Sequence, residues 1–419
     1  MSDEVRIYSG KLYPWQVATA KMLLAHPYNL ILSILAPRQV GKTYFIEMYT
    51  LSRVINRSKF RTVIVNPTFA NSVKTYNDFM GFLRQIPGDI VESANESRLT
   101  IKFTNGSSIQ LKSIEQGDAL RGDNCNLLIL DEAAFLDSNT AMRTLFPYVN
   151  ATHGTIVLIS TPKFKSEDNL FYRFYDLGLR RGKNEGSNVM SLDWRKYDLS
   201  EVLTDERKEL LRETMPYNIF ANEILGEFLT EKNDLWDIAP VLRNGILPTD
   251  DMFGGLDWGS SGTDETVLPV FNKHRQMYRL YRWGNDTPAT ELVSRIIDVC
   301  LELKLKKIVY ESNSIGTPLA AFLKREAVKR HCQTMFISFN TDNKGKRRII
   351  ESLQLAIENQ TVTLLDDPTL KLQFLGFAMK QTKTGQITYG NSSDSVHDDI
   401  VLATALALEA DVSGNYVLG

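Results

Sequence analysis

This chain of 419 residues is poor in the features that mark secreted, membrane-bound and zinc-containing proteins. Its three cysteines, Cys125, Cys300 and Cys332, lie far apart and lack the CxxC spacing of a zinc or redox site. No apolar run approaches the roughly 18 residues that a membrane span needs, and the first residues lack the basic and apolar regions of a signal peptide. We therefore expect a cytoplasmic protein that is neither secreted nor embedded in a membrane.

The chain also has little net charge. Its 48 basic and 50 acidic side chains leave a formal charge of −2, so bulk positive charge cannot hold it on a nucleic acid. Any such contact must come from local basic clusters, although runs of this kind are also common on ordinary solvated surfaces. The candidate clusters are residues 180–183, 304–307, 324–330 and 344–348.

The length favours two domains, because one hydrophobic core rarely extends over 419 residues. From residue 29 to about 162, short apolar runs alternate with helical patterns, which indicates a parallel sheet covered by helices. Residues 99–111 alternate around an Asn-Gly turn and predict a hairpin, read as an insertion in that α/β core. We predict an α/β domain over 1–230 with a helical lid or linker subdomain over about 163–230, a linker over 231–250, a second domain over 251–412 and a tail over 413–419.

The second domain begins with three strands that meander, followed by helices and strands in alternation. The strands are expected at Met252 to Trp258, Glu265 to Phe271 and Gln276 to Trp283, and a last helix opens near Asp398. This order matches a ribonuclease-H-like fold.

A phosphate-binding loop follows the first apolar strand, Leu30 to Leu35. The pattern Ala36-x4-Gly41-Lys42-Thr43 is a Walker A motif in which alanine replaces the usual first glycine. Backbone N–H groups of such a loop wrap the phosphates of ATP, the lysine reaches the β and γ oxygens, and the hydroxyl holds Mg²⁺. The predicted nucleotide-binding residues of this loop are Arg38, Gln39, Val40, Gly41, Lys42 and Thr43.

A second motif completes this site. The apolar run Leu127 to Leu130 ends in Asp131 and Glu132, as a Walker B strand does. Ligands bind at the carboxyl ends of the strands in an open α/β sheet. We predict that Asp131 contacts the Mg²⁺ shell and that Glu132 is the catalytic residue that polarises the attacking water.

Three further contacts to the nucleotide are predicted. Ser160 and Thr161 end another apolar strand and lie beside the γ-phosphate if the strands are parallel neighbours. Trp15 and Gln16 offer a ring and an amide that could hold adenine. Arg121, in a loop before Asp131, could stabilise the γ-phosphate of a neighbouring subunit, with Arg38 as the competing candidate.

Four carboxylates scattered over the second domain suggest a metal site. Asp257 follows the first strand, Glu311 ends a later strand, and Asp398 and Asp399 open the last helix. Converging carboxylates repel one another unless a cation neutralises them, and oxygen ligands suit Mg²⁺ or Mn²⁺. We predict that Asp257, Glu311 and Asp399 hold metal and catalyse phosphodiester hydrolysis with two ions, with Asp398 on the second ion and Asp264 able to assist.

The set of motifs resembles the large subunit of a tailed-bacteriophage or related viral terminase. The resemblance runs over nearly the whole length and depends on the order and spacing of its segments. They are Tyr13 to Gln16, Arg38 to Thr43, Leu120 to Gly122, Leu130 to Phe135, Ser160 to Pro162, Asp257, Glu311 and His397 to Asp399.

This resemblance implies a viral genome-packaging motor that uses ATP to move double-stranded DNA into a procapsid in the infected host cell. It also implies an endonuclease that cuts concatemeric DNA, a ring of subunits on the portal protein, and a small terminase subunit as partner. Two alternatives stay open from the sequence: a helicase–nuclease of DNA repair or restriction, and an assembly factor with an inactive nuclease site.

Overall fold

The structure is a computed structural model that divides into two compact units. It describes residues 12–86, 88–120, 124–182, 184, 186–198, 200, 202–229, 235–259, 264–312, 316–381, 387–391 and 397–411. The first unit holds the described residues from 12 to 229 apart from 214–216, and the second holds 214–216 and nearly all described residues from 235 onward.

The first unit is built from helices and strands in alternation. In chain order these are α1 (Pro14–Ala25), β1 (Ile31–Leu35), α2 (Lys42–Asn56), β2 (Arg61–Asn66), α3 (Phe69–Leu83), β3 (Val91–Asn95), β4 (Thr100–Phe103), β5 (Ser108–Ser113), β6 (Leu127–Asp131), α4 (Ser138–Thr140), β7 (Thr155–Ser160), α5 (Leu170–Arg181), β8 (Val189–Asp193), α6 (Asp205–Thr214) and α7 (Tyr217–Glu223).

One sheet organises this unit, in the order β3-β4-β5-β2-β6-β7-β1-β8. From β5 to β8 every neighbouring pair is parallel. All residues of β6 and β7 are buried, as expected of central strands with both faces covered. The predicted parallel α/β fold of the first domain is confirmed, and β7 lies between the strand that precedes the Walker A loop and the strand that ends in Asp131.

The predicted hairpin forms, but it is not an insertion. Strands β4 and β5 pair antiparallel, and β5 also pairs with β2 in parallel register from Arg61↔Ser108 to Asn66↔Ser113. The hairpin is therefore one side of the main sheet. Sequence pattern could not distinguish the two arrangements, because the pairing of β5 with β2 joins segments that are distant along the chain.

The second unit has a smaller central sheet. Its elements are β9 (Leu242–Arg243), β10 (Phe253–Leu256), β11 (Thr266–Phe271), β12 (Met277–Trp283), α8 (Ala289–Glu302), β13 (Lys307–Glu311), α9 (Gly316–Lys329), β14 (Met335–Phe339), α10 (Asn343–Glu358), β15 (Leu364–Leu365), α11 (Pro368–Gly376), β16 (Phe377–Gln381), β17 (Ile387–Asn391) and α12 (Asp399–Asp411).

The sheet of this unit has the order β12-β11-β10-β13-β14. The first three strands are antiparallel neighbours, whereas β10, β13 and β14 run parallel. This is the predicted ribonuclease-H-like arrangement. Strand β10 is central, so the residues that follow β10 and β13 emerge side by side at one edge.

The predicted linker is partly wrong, because residues 235–243 pack into the second unit. The side chain of Trp236 is buried, stacks on Phe377 with ring centroids 5.6 Å apart, and donates its indole N–H to the carbonyl of Phe374 at 2.9 Å. Strand β9 pairs with β15 in a small parallel sheet. The prolines and polar residues of this segment suggested a loop. Its packing could not be predicted locally, because Phe374, which accepts the hydrogen bond from Trp236, lies 138 residues further along the chain.

Within the described parts of the chain, every helix is too short or too polar to cross a membrane.

Candidate active sites

The Walker A loop turns sharply into α2 at Gly41. This residue caps the helix with φ 82, in the left-handed region that favours glycine, and Lys42 begins the helix. A Cβ atom on Gly41 would lie 2.7 Å from Nε2 of Gln16. Any side chain at this position would therefore strain the backbone and displace Gln16.

Trp15 and Gln16 form hydrogen bonds with backbone carbonyl groups of this loop. The indole of Trp15 donates to the carbonyl of Val40 at 3.3 Å, and Nε2 of Gln16 donates to the carbonyl of Gly41 at 2.9 Å. Oε1 of Gln16 accepts the backbone N–H of Tyr13 at 2.9 Å. Both side chains are at most 1% exposed. The direct adenine contact of Trp15 and Gln16 stays a prediction, and in this structure their polar atoms brace the loop.

Lys42 and Glu132 face each other across the site. Nζ of Lys42 lies 3.4 Å from Oε1 of Glu132 and donates to the carbonyls of Ala36 at 3.3 Å and Pro37 at 2.9 Å. The Walker A lysine is thus stabilised by loop carbonyls and by the carboxylate that ends the Walker B segment.

Ser160 and Thr161 hold the other oxygen of Glu132. Oε2 accepts the hydroxyl of Ser160 at 3.2 Å, the hydroxyl of Thr161 at 3.0 Å and the backbone N–H of Thr161 at 3.3 Å. This contact follows from the sheet order, since β7 lies between β1 and β6. The two residues that the sequence assigned to the γ-phosphate thus orient Glu132 in this structure.

Asp131 ends β6 and is 8% exposed. Burial, and then the charge of Glu132, raise its pKa to about 7, while Lys42 acts in the opposite direction. A carboxylate that burial disfavours in this way gains from a divalent cation. Its position and chemistry therefore fit the predicted role at the Mg²⁺ shell.

An open cleft of about 560 Å³ lies above the loop. Val40 is buried and does not line it. Sequence reasoning missed four of its lining residues, of which Tyr44 and Phe135 are aromatic, because a single wall residue carries no motif. The lining residues are Arg38, Gln39, Gly41, Lys42, Thr43, Tyr44, Pro67, Asn71, Glu132 and Phe135.

Of the two arginine candidates for the γ-phosphate, only Arg38 lies among the described residues. Nε of Arg38 pairs with Oε2 of Glu223 in α7 at 2.6 Å, and its side chain is 62% exposed. Arg121 lies outside the described residues.

In the second unit, Asp257 and Glu311 emerge next to each other. Leu256 of β10 is in register with Tyr310 of β13, so the residues that follow them are neighbours. Asp257 is 4% exposed, and burial, followed by the charge and hydrogen bond of Glu311, holds its pKa well above the ordinary value. The hydroxyl of Thr341 donates to Oε1 of Glu311. A buried carboxyl whose charge is disfavoured in this way is stabilised by a nearby cation.

Asp399 joins this pair from α12. The helix lies directly on β10, since a Cβ atom on Gly255 would be 2.0 Å from the carbonyl oxygen of Ala403. Oδ2 of Asp399 accepts the backbone N–H of Glu265 at 3.1 Å. Burial raises the pKa of Asp399 to about 6, and its charge contributes to the raised pKa of Asp257.

Two further residues extend the acidic cluster. Nδ1 of His397 lies 3.2 Å from Oδ1 of Asp264. Asp264, His397 and Asp399 each offer a ligand atom, and these atoms lie within 4.8 Å of one another. The sequence placed Asp264 near the site, but it gave no reason to include His397 as a ligand.

Asp398 forms an ion pair with a lysine side chain. Its Oδ2 lies 3.0 Å from Nζ of Lys346 in α10, and its Oδ1 accepts from Nδ2 of Asn391 at 3.4 Å. The structure therefore separates Asp398, which is paired with a lysine, from Asp399, which faces the other carboxylates. A metal ion on Asp398 would have to compete with that lysine.

A P-loop unit followed by a ribonuclease-H-like unit defines the two-unit architectural class of this chain. Within this class, residues 33–240 match the family model described as terminase large subunit, T4likevirus-type, N-terminal. Two proteins named terminase, large subunit, from Thermus phage G20c and Thermus virus P23-45, are each 25% identical over 326 residues. The match covers 72% of this chain and 64% of each relative, so the chain spans less than two thirds of their length.

Solved structures show the same fold. The large terminase of a thermophilic bacteriophage superposes with a TM-score of 0.54 at 13% identity, over 94% of this chain and 99% of that one. A structure of the same phage's large terminase in complex with ADP gives a TM-score of 0.52 at 13% identity, covering 96% and 100% of the two chains. By sequence, residues 33–240 are similar to the N-terminal part of terminase large subunits, and over both units the chain has the fold of a phage large terminase.

Proposed function

We propose that this chain is the motor and nuclease of a viral DNA-packaging machine, hydrolysing ATP to move double-stranded DNA into a procapsid. One observation carries the proposal: a parallel sheet brings Lys42, Asp131 to Glu132 and Ser160 to Thr161 to one edge. The ADP complex of the similar phage terminase supports nucleotide binding at such a site.

For ATP hydrolysis, the loop from Arg38 to Thr43 cradles the phosphates with its backbone N–H groups, and Lys42 moves from Glu132 to the β and γ oxygens. Glu132 accepts the proton of the water that attacks the γ-phosphorus. The hydroxyls that bond to Glu132 fix the carboxylate in place for this transfer. Thr43 and Asp131 would hold Mg²⁺, which neutralises charge that develops on the phosphate oxygens.

Arg121 supplies a cation to the γ-phosphate of a neighbouring subunit in the proposed ring. Arg38 remains the competing residue, and its ion pair with Glu223 would have to open before it could reach a phosphate.

For DNA cutting, Asp257, Glu311 and Asp399 form the catalytic cluster. These residues would hold Mg²⁺ or Mn²⁺, with Asp398 on a second ion if Lys346 is displaced, and the metal supplies an activated water and stabilises the leaving oxygen. The raised pKa values of Asp257 and Asp399 support this assignment, because they record unfavourable carboxylate charge that a cation relieves.

The partners of the proposed machine are double-stranded DNA, the portal protein, the small terminase subunit and further copies of this chain in a ring. Packaging by this machine takes place in the cytoplasm of the infected host cell, and the ring is compatible with a monomeric chain in isolation.

Of the two alternatives, a helicase–nuclease usually needs a second RecA-like sheet, and the described residues contain one P-loop sheet. An inactive assembly factor would not need the acidic cluster, which is complete.

The motor is tested with Glu132→Ala. Loss of the base should abolish ATP turnover, while an ATP analogue still binds, because the loop and Lys42 are unchanged. Steady-state hydrolysis and a fluorescent-analogue titration measure the two properties. Full turnover by this variant would remove Glu132 from the mechanism.

The nuclease is tested with Asp257→Ala in a plasmid-cutting assay with Mn²⁺. Cutting should fall to background, because the central carboxylate of the cluster is gone. Asp286→Ala, at an exposed acid of the same unit, is the matched control and should cut like wild type. If Asp257→Ala also cuts like wild type, the acidic site is assigned incorrectly.

A further inference from the structure

A second cleft of the first unit lies at the opposite end of the strands from the nucleotide site. It is open and has a volume of about 420 Å³. Strands β1 and β8 run parallel and both begin at this cleft, because Ile31 and Val189 are in register and line it. The Walker A loop follows the carboxyl end of β1, where ligands of an open α/β sheet usually bind. The cleft at the amino ends is therefore a separate site.

Hydrogen-bond donors are prominent in the lining of this cleft. Arg181, in the last turn of α5, contributes a guanidinium group, and Asn29, Asn184 and Asn188 contribute carboxamides. These four side chains form no hydrogen bond or ion pair within the described part of the chain. The described lining residues include no carboxylate. Such a set of unpaired donors fits an anion with several oxygen atoms.

Backbone hydrogen bonds hold the lining in place. The N–H of Ile31 donates to the carbonyl of Asn188 at 2.8 Å, which ties the loop before β8 to the start of β1. The N–H of Asn184 donates to the carbonyl of Arg181 at 2.9 Å, and that of Ser187 donates to the carbonyl of Asn184 at 3.2 Å. The cleft is thus formed without a ligand, so little ordering is needed when one binds.

Three of the four basic clusters that the sequence offers for nucleic-acid contact do not line this cleft. In 344–348 three cations form ion pairs with carboxylates of the same unit, and in 324–330 two cations do so. The cluster 304–307 forms no ion pair with a described residue, but it lines neither of the two clefts. These clusters are consistent with ordinary solvated surfaces.

The fourth cluster, 180–183, contains two neighbouring arginines with different surroundings. Nη2 of Arg180 pairs with Oδ2 of Asp176 at 2.8 Å, one turn earlier in α5. Arg181 has no ion pair among the described residues and lines the cleft. The positive charge of Arg181 is therefore available to a ligand.

We propose that this cleft binds a phosphate group of the DNA backbone, with Arg181 as its cation and the three asparagines as further donors. Arginine and asparagine side chains are common partners of phosphate oxygens in protein–DNA complexes. Phosphate contacts carry no sequence information, so binding here is independent of base sequence. The proposal rests on the packaging function given above and adds a place where the motor holds its DNA. Because β1 leads from this cleft to the Walker A loop, DNA and ATP bind at the two ends of one strand.

The test compares Arg181→Met with Arg180→Met, which removes the same charge at the neighbouring, ion-paired position. Anisotropy of a short fluorescent DNA duplex measures binding to the full chain in EDTA at several salt concentrations. Arg181→Met should weaken binding about fivefold or more and lower the slope of log Kd against log salt by about one, because one phosphate contact is lost. Arg180→Met should stay within about twofold of wild type, because its charge is already paired at an exposed site.

The asparagines are tested with a double variant, Asn184→Ala with Asn188→Ala. It should weaken DNA binding about threefold through lost hydrogen bonds. The salt slope should not change, because carboxamides are neutral and release no counterions from the DNA. A second duplex of different sequence should give the same losses for every variant.

Three results would overturn the inference. The first is an equal effect of Arg181→Met and Arg180→Met, which bulk charge alone explains. The second is an unchanged salt slope in Arg181→Met. The third is inorganic phosphate that binds wild type but not Arg181→Met in calorimetry while both bind DNA equally, because the ligand is then a free anion.

Thermal unfolding checks that the variants are folded, and if Arg181→Met does not fold, Arg181→Gln is judged by the same criteria. If wild type binds no duplex DNA, the proposed function fails and this inference falls with it. DNA binding by wild type that Arg181→Met leaves intact rejects this inference alone.

Discussion

At the scale of single residues, Glu132 is the best-supported feature of the nucleotide site. One carboxylate contacts Lys42 through Oε1 and Ser160 and Thr161 through Oε2. Its backbone is in the left-handed region, with φ 47. Such a conformation is uncommon for a residue with a side chain, and it persists where surrounding contacts hold it. The contacts that fix Glu132 are therefore those that a positioned base requires.

A first residue-scale prediction separates support of the loop from recognition of adenine. Gln16→Leu removes two hydrogen bonds, to the carbonyl of Gly41 and the N–H of Tyr13, and should weaken nucleotide binding about tenfold. Because the loss acts through the phosphate loop, ATP, GTP and inorganic triphosphate should be affected alike in competition titrations. Gln85→Leu, an exposed control in the same unit, should change none of them. A loss confined to adenine nucleotides would instead support the direct adenine contact.

A second prediction concerns pH and the acidic cluster. Asp257 keeps its proton in the folded protein at pH values where the unfolded chain has lost it, because its folded pKa is raised. Its contribution to stability is therefore full below about pH 4, the ordinary range for aspartate, and is lost as pH rises through the folded pKa. In EDTA, Asp257→Asn should be more stable than wild type at pH 8 and close to it at pH 4.

Urea unfolding at the two pH values measures this difference. Asp286→Asn, at an exposed acid, should follow wild type throughout. If Asp257→Asn is less stable than wild type at pH 8, the carboxylate is stabilised by the fold rather than penalised, and its fit to a cation is lost.

At the scale of elements, the close approach of α12 to β10 positions Asp399. Almost every residue of α12 is buried, and the helix backbone touches the strand at Gly255. Small side chains along the helix, including Ala403 and Ala407, make this distance possible. The placement of Asp399 in the acidic cluster therefore depends on a glycine that carries no functional side chain.

Gly255→Ala should consequently lower the free energy of unfolding of the second unit. The added Cβ would meet the carbonyl of Ala403 at 2.0 Å and the backbone nitrogen of Ala407 at 2.2 Å, so α12 must move away. We expect a loss of about 3 kcal/mol in the free energy of unfolding, at the upper end for overpacking. Gly390→Ala, where a Cβ would meet nothing within 4 Å, is the control for chemical unfolding. Equal stability of the two variants would contradict the packing described here.

Much of this architecture could be predicted from sequence, for a physical reason. Leu127 to Leu130 and Thr155 to Ile159 are apolar because parallel strands are buried on both faces, so their pattern is local. The pairing of β5 with β2, the packing of Trp236 on Phe374 and the bond of Gln16 to Gly41 depend on contacts between distant segments. The cleft that Arg181 lines was missed for the same reason, since segments distant along the chain enclose it.

At the scale of the whole molecule, the two proposed chemistries lie in two different units of one chain. The nucleotide site is built entirely from residues of the first unit, and the acidic site entirely from residues of the second. Each unit has its own sheet and its own hydrophobic core. We therefore expect variants to remove one activity while leaving the fold that supports the other.

The most direct test is to measure ATP turnover and Mn²⁺-dependent plasmid cutting on the same preparations of wild type, Lys42→Ala and Asp257→Ala. We predict both activities in wild type, only cutting in Lys42→Ala, and only ATP turnover in Asp257→Ala. A wild-type chain that lacks either activity, or an Asp257→Ala chain that still cuts, would contradict the proposed function.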